Sequence, residues 1–357
     1  MNAMIRTLLL ACFLGTTLWA QTHELDLHPD DGWVDTGIQF NPGDTFTVAA
    51  TGELQYPGAK ANGPEGLARG FADLIKAFPV NGAGRGALVG RIGDNAAARA
   101  FLIGAKYSGP APIAGHLFVA VNQSSFDQAT GSYHLTISST AAPKTATADV
   151  KVSPFPQNLL DSIPRRVSDP NGAPGDRVNF VVIGSKDQMQ SAFKAAGWVV
   201  VDRTQQEAVV TGLLSSLSKD AYVSMPMSEL QLYGRAQDFG YAQADPLQVV
   251  ASRHHFRIWK APFTLDGQTV WVGAGTHDVG FERDQRNNGV THKIDPNTDG
   301  ERDYIRDSLL QTGMAVKTTY MTPANPVTTA RTATGGEFTS DGRTLLVYLR
   351  PAAATSQ

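Results

Sequence analysis

Apolar and polar positions alternate differently in the two halves of the chain. Over residues 21–137 the apolar positions recur every second residue in short runs, at 34–40, 45–50, 87–92, 100–104, 116–122 and 132–138. Such alternation predicts half-buried strands. Between the runs stand Asn41-Pro42-Gly43-Asp44, Pro57-Gly58, Asn81-Gly82, Gly93-Asp94 and Ser108-Gly109-Pro110. These supply the positive or fixed φ of tight reversals. Regular short strands separated by such turns predict an all-β jelly roll or sandwich, interrupted by one short helix over 67–77.

The second half mixes periods. Residues 178–183 form a continuous apolar run of strand length, and Ser185 is a good N-cap for a helix with Met189, Phe193 and Ala196 on one face. Gly197 ends that helix before a strand at 198–201. A further helix is predicted over 204–220, then strands at 230–234, 253–261 and 269–280, the last two closed into a hairpin by Asp266-Gly267. A helix over 301–312 and strands at 316–320 and 345–349 complete an α+β domain with a mixed, largely antiparallel sheet. Pro, Thr and small residues over 144–176 predict an extended connector, with the apolar positions of 149–156 docked on the second domain. The expected division is therefore 21–143, a linker 144–176, a domain over 177–351 and a tail over 352–357.

Length supports this division, since 357 residues exceed one ordinary domain. Residues 1–20 have the order of a secretory leader, with Arg6, a dozen mostly apolar positions and small residues before Gln21. The expected protein is exported, periplasmic or secreted, with no integral membrane segment once the leader is removed. Cys12, the only cysteine, lies in that leader, so neither disulfide nor thiolate chemistry is expected afterwards. A net charge of -3 with no basic stripe argues against nucleic acid as a partner.

Candidate chemistry concentrates in residues 253–303, which hold four of the eight histidines, His254, His255, His277 and His292, among aspartates and arginines. Buried imidazoles and carboxylates cost stability unless paired, so this density points to a site or to an unusually polar sheet face. The candidate catalytic set is His255, Arg257, His277, Asp278, His292, Asp295 and Arg302. His255, Arg257 and His277 are expected to cluster, with Gly273 and Gly275 leaving room for a ligand. His255, His277, His292 and Asp295 are the candidate ligands of a divalent metal such as zinc, although their spacing matches no known metalloenzyme pattern. Two readings stay open: a hydrolase acting on an envelope or extracellular substrate, by metal or by general acid-base catalysis, and a non-catalytic binding or scaffolding protein with a structural polar belt.

Two resemblances add to this reading. The order NPGDTFTVAATGELQYPGA, GALVGRIGD, FLIGAKYSG and GHLFVAVNQSSFDQATGSYHLTI resembles the PA-IL (LecA) type of calcium-dependent galactose-binding lectin. That resemblance implies a carbohydrate partner and a calcium ion, with Tyr56, Gln123 and Asp127 at the matching positions. Gln123 stands where the family has a carboxylate. The order VNFVVIGS, AAGW, RHHFRIWKAPFTLDGQTVWVGAGTHDVG, THKIDPNTDGERDYIRDSL and DGRTLLVYL resembles the LssY C-terminal family, which implies a fold without a reaction.

Overall fold

The computed structural model describes residues 21–70, 78–80, 82–95, 97–141, 152–201, 227–244, 252–283, 290–332 and 335–350. The expected leader, the helix over 204–220, the tail and most of the helix over 67–77 lie outside the described residues.

The N-terminal strands are β1 (Gln21–Leu27), β2 (Val34–Phe40), β3 (Thr45–Gln55), β4 (Leu88–Ile92), β5 (Phe101–Leu102), β6 (Lys106–Pro110), β7 (Gly115–Val121) and β8 (Thr130–Thr140). They form two four-stranded antiparallel sheets, β1-β8-β3-β6 and β2-β7-β4-β5. Alternation explains why the sheets face each other. On β3, Phe46, Val48, Ala50 and Leu54 turn inward while Thr45, Thr47 and Thr51 face water. The inward set meets Phe40, Leu117, Val119, Leu135 and Ile137 in one core, so the module is a β-sandwich.

The second module contains α1 (Gln157–Ser162), β9 (Arg166–Ser168), β10 (Pro174–Arg177), β11 (Phe180–Ile183), α2 (Lys186–Ala195), β12 (Val199–Val200), β13 (Gln231–Leu232), β14 (Arg235–Ala236) and β15 (Phe239–Ala244). It continues with β16 (Ser252–Leu265), β17 (Gln268–Arg283), β18 (Val290–Ile294), α3 (Thr298–Leu310), β19 (Ala315–Met321), β20 (Thr329–Arg331), β21 (Glu337–Thr339) and β22 (Thr344–Leu349). Its main sheet runs β12-β15-β16-β17-β11-β22-β19, with β18 also paired to β17. Among the described ladders, only β11 and β22 pair in parallel there; the others are antiparallel. The architecture is thus α+β with a mixed, largely antiparallel sheet.

Both faces of that sheet are covered. One carries Phe193 of α2 and Tyr304, Ile305 and Leu309 of α3, packed on Phe180, Phe256 and Ile258. The other carries Leu160 of α1 with Phe155, Val167, Trp259, Val272 and Leu346. Residues 152–176, expected in the connector, therefore supply a helix, two strands and part of the second core, because Phe155, Leu160, Ile163 and Val167 are apolar and find a sheet face to cover. Ser185 caps α2 as its sequence predicts: its hydroxyl accepts from Gln188 N while Gln188 Oε1 accepts from Ser185 N.

Candidate functional site

The β16–β17 hairpin places most of the candidate residues. Asp266 and Gly267 both take positive φ, 47° and 75°, as a two-residue primed turn requires. From that turn Leu265 pairs Gln268, and, beyond an irregularity that contains Pro262, Lys260 pairs Trp271. A proline cannot donate to the ladder, so the irregularity falls where its missing N–H is harmless. The register then places Arg253 opposite Asp278, His254 opposite His277, His255 opposite Thr276 and Arg257 opposite Ala274. Directly opposed residues share a face of the sheet.

The expected grouping of His255 and Arg257 with His277 does not form. Odd-numbered residues of β16 share a face with even-numbered residues of β17, so His255 and His277 stand on opposite sides of the sheet. A two-residue turn imposes this parity, and the irregularity preserves it. The room expected above the glycines is also taken. A β-carbon at Gly273 would lie 2.0 Å from the Phe180 ring, and one at Gly275 would lie 2.7 Å from Ile305 Cδ1. The glycines admit the protein's own core rather than a ligand.

On the face shared with α1, Asp278 is the centre. Its Oδ1 lies 2.9 Å from His255 Nε2 and its Oδ2 lies 3.4 Å from Arg253 Nη2, with all three side chains under a tenth exposed. Thr276 Oγ1 approaches the His255 ring at 3.4 Å. Arg257 continues the row, donating through Nε to Ser228 O at 2.9 Å and facing Asp176 Oδ2 at 3.7 Å. Burial lowers the pKa of Arg257 from its ordinary value. Three of the seven candidates, His255, Arg257 and Asp278, therefore come together here.

On the face covered by α3, His254 lies between two rings. Tyr304 stacks on it at 3.7 Å and His277 at 4.2 Å, each within 8° of parallel. His254 Nδ1 is 2.6 Å from Glu301 Oε2. Glu301 is fully buried at its side chain, and its other oxygen, Oε1, has no hydrogen-bond partner among the described residues. Asn179, also fully buried, fixes α3 over this hairpin: it exchanges bonds with Gly275 N and O and donates to Thr298 O. Glu301 belongs to the acids of the 253–303 stretch but not to the candidate set, and Asn179 lies outside that stretch. The parity of the hairpin was the available signal for His254 beside His277.

The remaining candidates stand elsewhere. Asp295 donates its backbone N–H to His277 O, and its carboxylate accepts from Asn297 N at 2.8 Å, which is a turn role. His292 pairs Phe281 through the backbone of β18, and its side chain lies outside the described residues. Arg302 is buried and joins the start of α3 to the 341–343 turn. It holds Asp341 through two bonds of 2.7 and 3.2 Å, Asp303 at 2.9 Å and Asp299 at 3.1 Å, with Tyr320 beneath its guanidinium at 4.7 Å. Burial opposes its charge, but the bonds to Asp341 and Asp303 outweigh burial and raise its pKa. For Asp341 burial pushes upward, and bonds from Arg302 and Arg343 prevail and hold it well below the usual carboxylate range. The zinc set of His255, His277, His292 and Asp295 is therefore not assembled, and no group of three or more His, Cys, Asp or Glu among the described residues could hold a metal ion.

The calcium candidates of the sandwich are likewise engaged by groups of the protein itself. The Tyr56 carbonyl accepts from Gln55 Nε2 and Ala59 N, while its hydroxyl donates to Gln123 Oε1 at 2.9 Å. Gln123 Nε2 donates to Pro29 O. Asp127 Oδ2 accepts from Ser124 N and Oγ, and its Oδ1 faces Arg85 Nη1 at 3.6 Å. The Arg85 guanidinium, 4.7 Å over the Tyr56 ring, supplies positive charge where the lectin resemblance implies a cation. One carboxylate already facing an arginine does not suit a hard divalent ion, which needs several oxygens.

A family model described as LssY C-terminus matches residues 160–344, more than half of the chain. The chain belongs to the LssY C-terminal family. That match spans β9 to β21, with both hairpin faces and α3, so the two polar groups are features of its LssY segment. A solved structure titled "EclA N-terminal domain; PllA-like lectin" is similar at 15% identity and a TM-score of 0.25, over 33% of this chain and 94% of that one. The sandwich itself rests on the strand pairing described above. No curated protein matches the chain. Among the described residues, no helix is long and apolar enough to cross a membrane.

Proposed function

We propose that this two-module protein is exported and acts by binding, with a glycan as the ligand of the sandwich and a structural polar belt in the LssY domain. The observation that carries this reading is Asp278. One buried carboxylate takes both His255 and Arg253, so the densest candidate chemistry is spent on holding strands β16 and β17 together. The glycan follows from the sequence resemblance, and Phe126 suits it: this ring is 88% exposed at the tip of a loop pinned by Ser124 and Asp127. An exposed aromatic on a fixed loop offers a stacking surface at low ordering cost. A glycan array probed with the full chain, with and without calcium, tests the reading. Binding that disappears in Phe126→Ala supports it, and silence under both conditions removes the sugar.

A second reading, general acid-base hydrolysis, is favoured by Glu301. A fully buried carboxylate with one oxygen lacking a hydrogen-bond partner among the described residues and the other 2.6 Å from an imidazole is costly as mere structure. In this reading His254 takes a proton from water and Glu301 stabilises the resulting imidazolium. Turnover of chromogenic phosphoester, ester or glycoside substrates that is lost in a folded Glu301→Gln variant would establish it. A wild-type protein inert on all three classes would exclude it.

A further inference from the structure

The two modules meet at a cleft whose chemistry belongs to neither polar group described above. Residues 97–101 of the sandwich dock on the LssY domain. Ala97 is buried in the core that contains Trp198 and Phe193. Arg99 N donates to Gln311 Oε1 at 2.9 Å, Gln311 Nε2 donates to Ala97 O, and Arg99 Nη1 donates to Ala195 O at the last residue of α2. A cation there meets the negative end of the helix.

Beside this junction lies a cavity of about 410 Å³, bounded by Phe46, Phe101, Tyr107 and Ile113 of the sandwich together with Arg99 and Gln311. Its volume falls within the range of small-molecule sites, which often form at domain junctions. Phe46 and Tyr107 lie 5.1 Å apart between ring centres, and Phe101 and Tyr107 lie 5.0 Å apart, so three rings form a continuous apolar wall. Burial raises the Tyr107 hydroxyl above its ordinary pKa, so this wall is uncharged at neutral pH. The Gln311 amide is engaged on both atoms by residues 97 and 99. Arg99 spends Nη1 on Ala195 O, sets its Cζ and Nη2 beside Gly197, and brings a positive charge to the boundary of the cavity.

We propose that this cleft binds a small apolar monocarboxylate, an aryl or medium-chain acyl acid, with its carboxylate on Arg99 and its body along Phe46, Phe101 and Tyr107. One guanidinium beside an apolar wall matches a ligand with one negative charge at one end; a polyol would leave its hydroxyls unpaired against those rings. Such a ligand touches both modules and therefore stabilises their junction by the free energy of its binding. This site goes beyond the binding reading above and stands or falls separately from it.

Isothermal titration of the full chain with decanoate, decanol and decylamine at neutral pH tests the proposal, with circular dichroism confirming the fold of each variant. Decanoate is expected to saturate one site and to bind about tenfold or more tightly than decylamine. Arg99→Met is expected to bring the acid and the amine within about threefold of each other, and Arg99→Lys to retain the preference for the acid. Ala100→Trp, which fills the cleft, is expected to weaken decanoate by about tenfold or more, and Pro112→Trp, at the exposed rim, does the same job if the first variant folds poorly. Absence of saturable decanoate binding, equal affinity for decanoate and decylamine in the native protein, or undiminished binding in a folded cleft-filling variant would each overturn the site.

Discussion

The two faces of the β16–β17 hairpin carry the same residue types and use them differently. Toward α1, Asp278 sits between a guanidinium and an imidazole, and the charges are matched across the strand pair. Toward α3, His254 lies flat between Tyr304 and His277 and meets an acid delivered by a helix, Glu301, whose second oxygen has no hydrogen-bond partner among the described residues. The first face is a strut between two neighbouring strands. The second ties the sheet to the helix that covers it. Polar density alone does not distinguish them; the element that supplies the acid does, a paired strand in one case and a covering helix in the other.

The largest effect that would test this contrast is at Asp278. Asp278→Ala leaves Arg253 and His255 buried without their carboxylate, and the expected loss is about 3–5 kcal/mol of unfolding free energy in urea titration. A loss within ~0.5 kcal/mol would mean that the strut is not one. Gly273→Ala tests whether the space above the hairpin is filled. A methyl group there must displace the Phe180 ring, with an expected cost of about 1–3 kcal/mol, and a neutral result would reopen the room for a ligand. On the other face, Glu301→Gln keeps the shape and removes the charge that His254 faces. The expected cost is only about 0.5–2 kcal/mol, since relief of the oxygen that lacks a partner among the described residues offsets part of the lost bond.

The smallest effect is a pH dependence remote from both faces. Asp341 is held below the usual carboxylate range by Arg302 and Arg343, so its contribution is complete above its unfolded value near ~4 and is lost as pH falls through the lowered folded value. Asp341→Asn is therefore expected to lower the urea midpoint most above about pH 5, with the gap to the native protein narrowing toward about pH 2. A gap that widens in acid would show that Asp341 is not held as an anion.

Much of the fold is legible in the sequence. β2 occupies the span its alternation predicts, α2 begins at the capping box of Ser185, and the hairpin turns at Asp266-Gly267, because each depends on neighbours within a few residues. No such local signal marks β1, β6, β15 or β18: short or polar strands such as Lys106–Pro110 become strands through a partner ladder rather than through their own pattern. The connector read from its proline and threonine content proved shorter, since Phe155 and Leu160 find a sheet face that composition does not reveal.

The candidate site shows the same division. Sequence alone determined which residues carry chemistry, that they crowd into residues 253–303, and, through a two-residue turn, the parity that separates His255 from His277. Only the tertiary structure decided that Glu301 reaches His254, that Asn179 anchors α3 through Gly275, that Arg302 serves the 341–343 turn and that Arg85 faces Asp127. The reason is range. Alternation and turn geometry act between residues close along the chain, whereas pairing of buried charges is settled by whichever distant element arrives to cover them, and nothing local specifies that arrival.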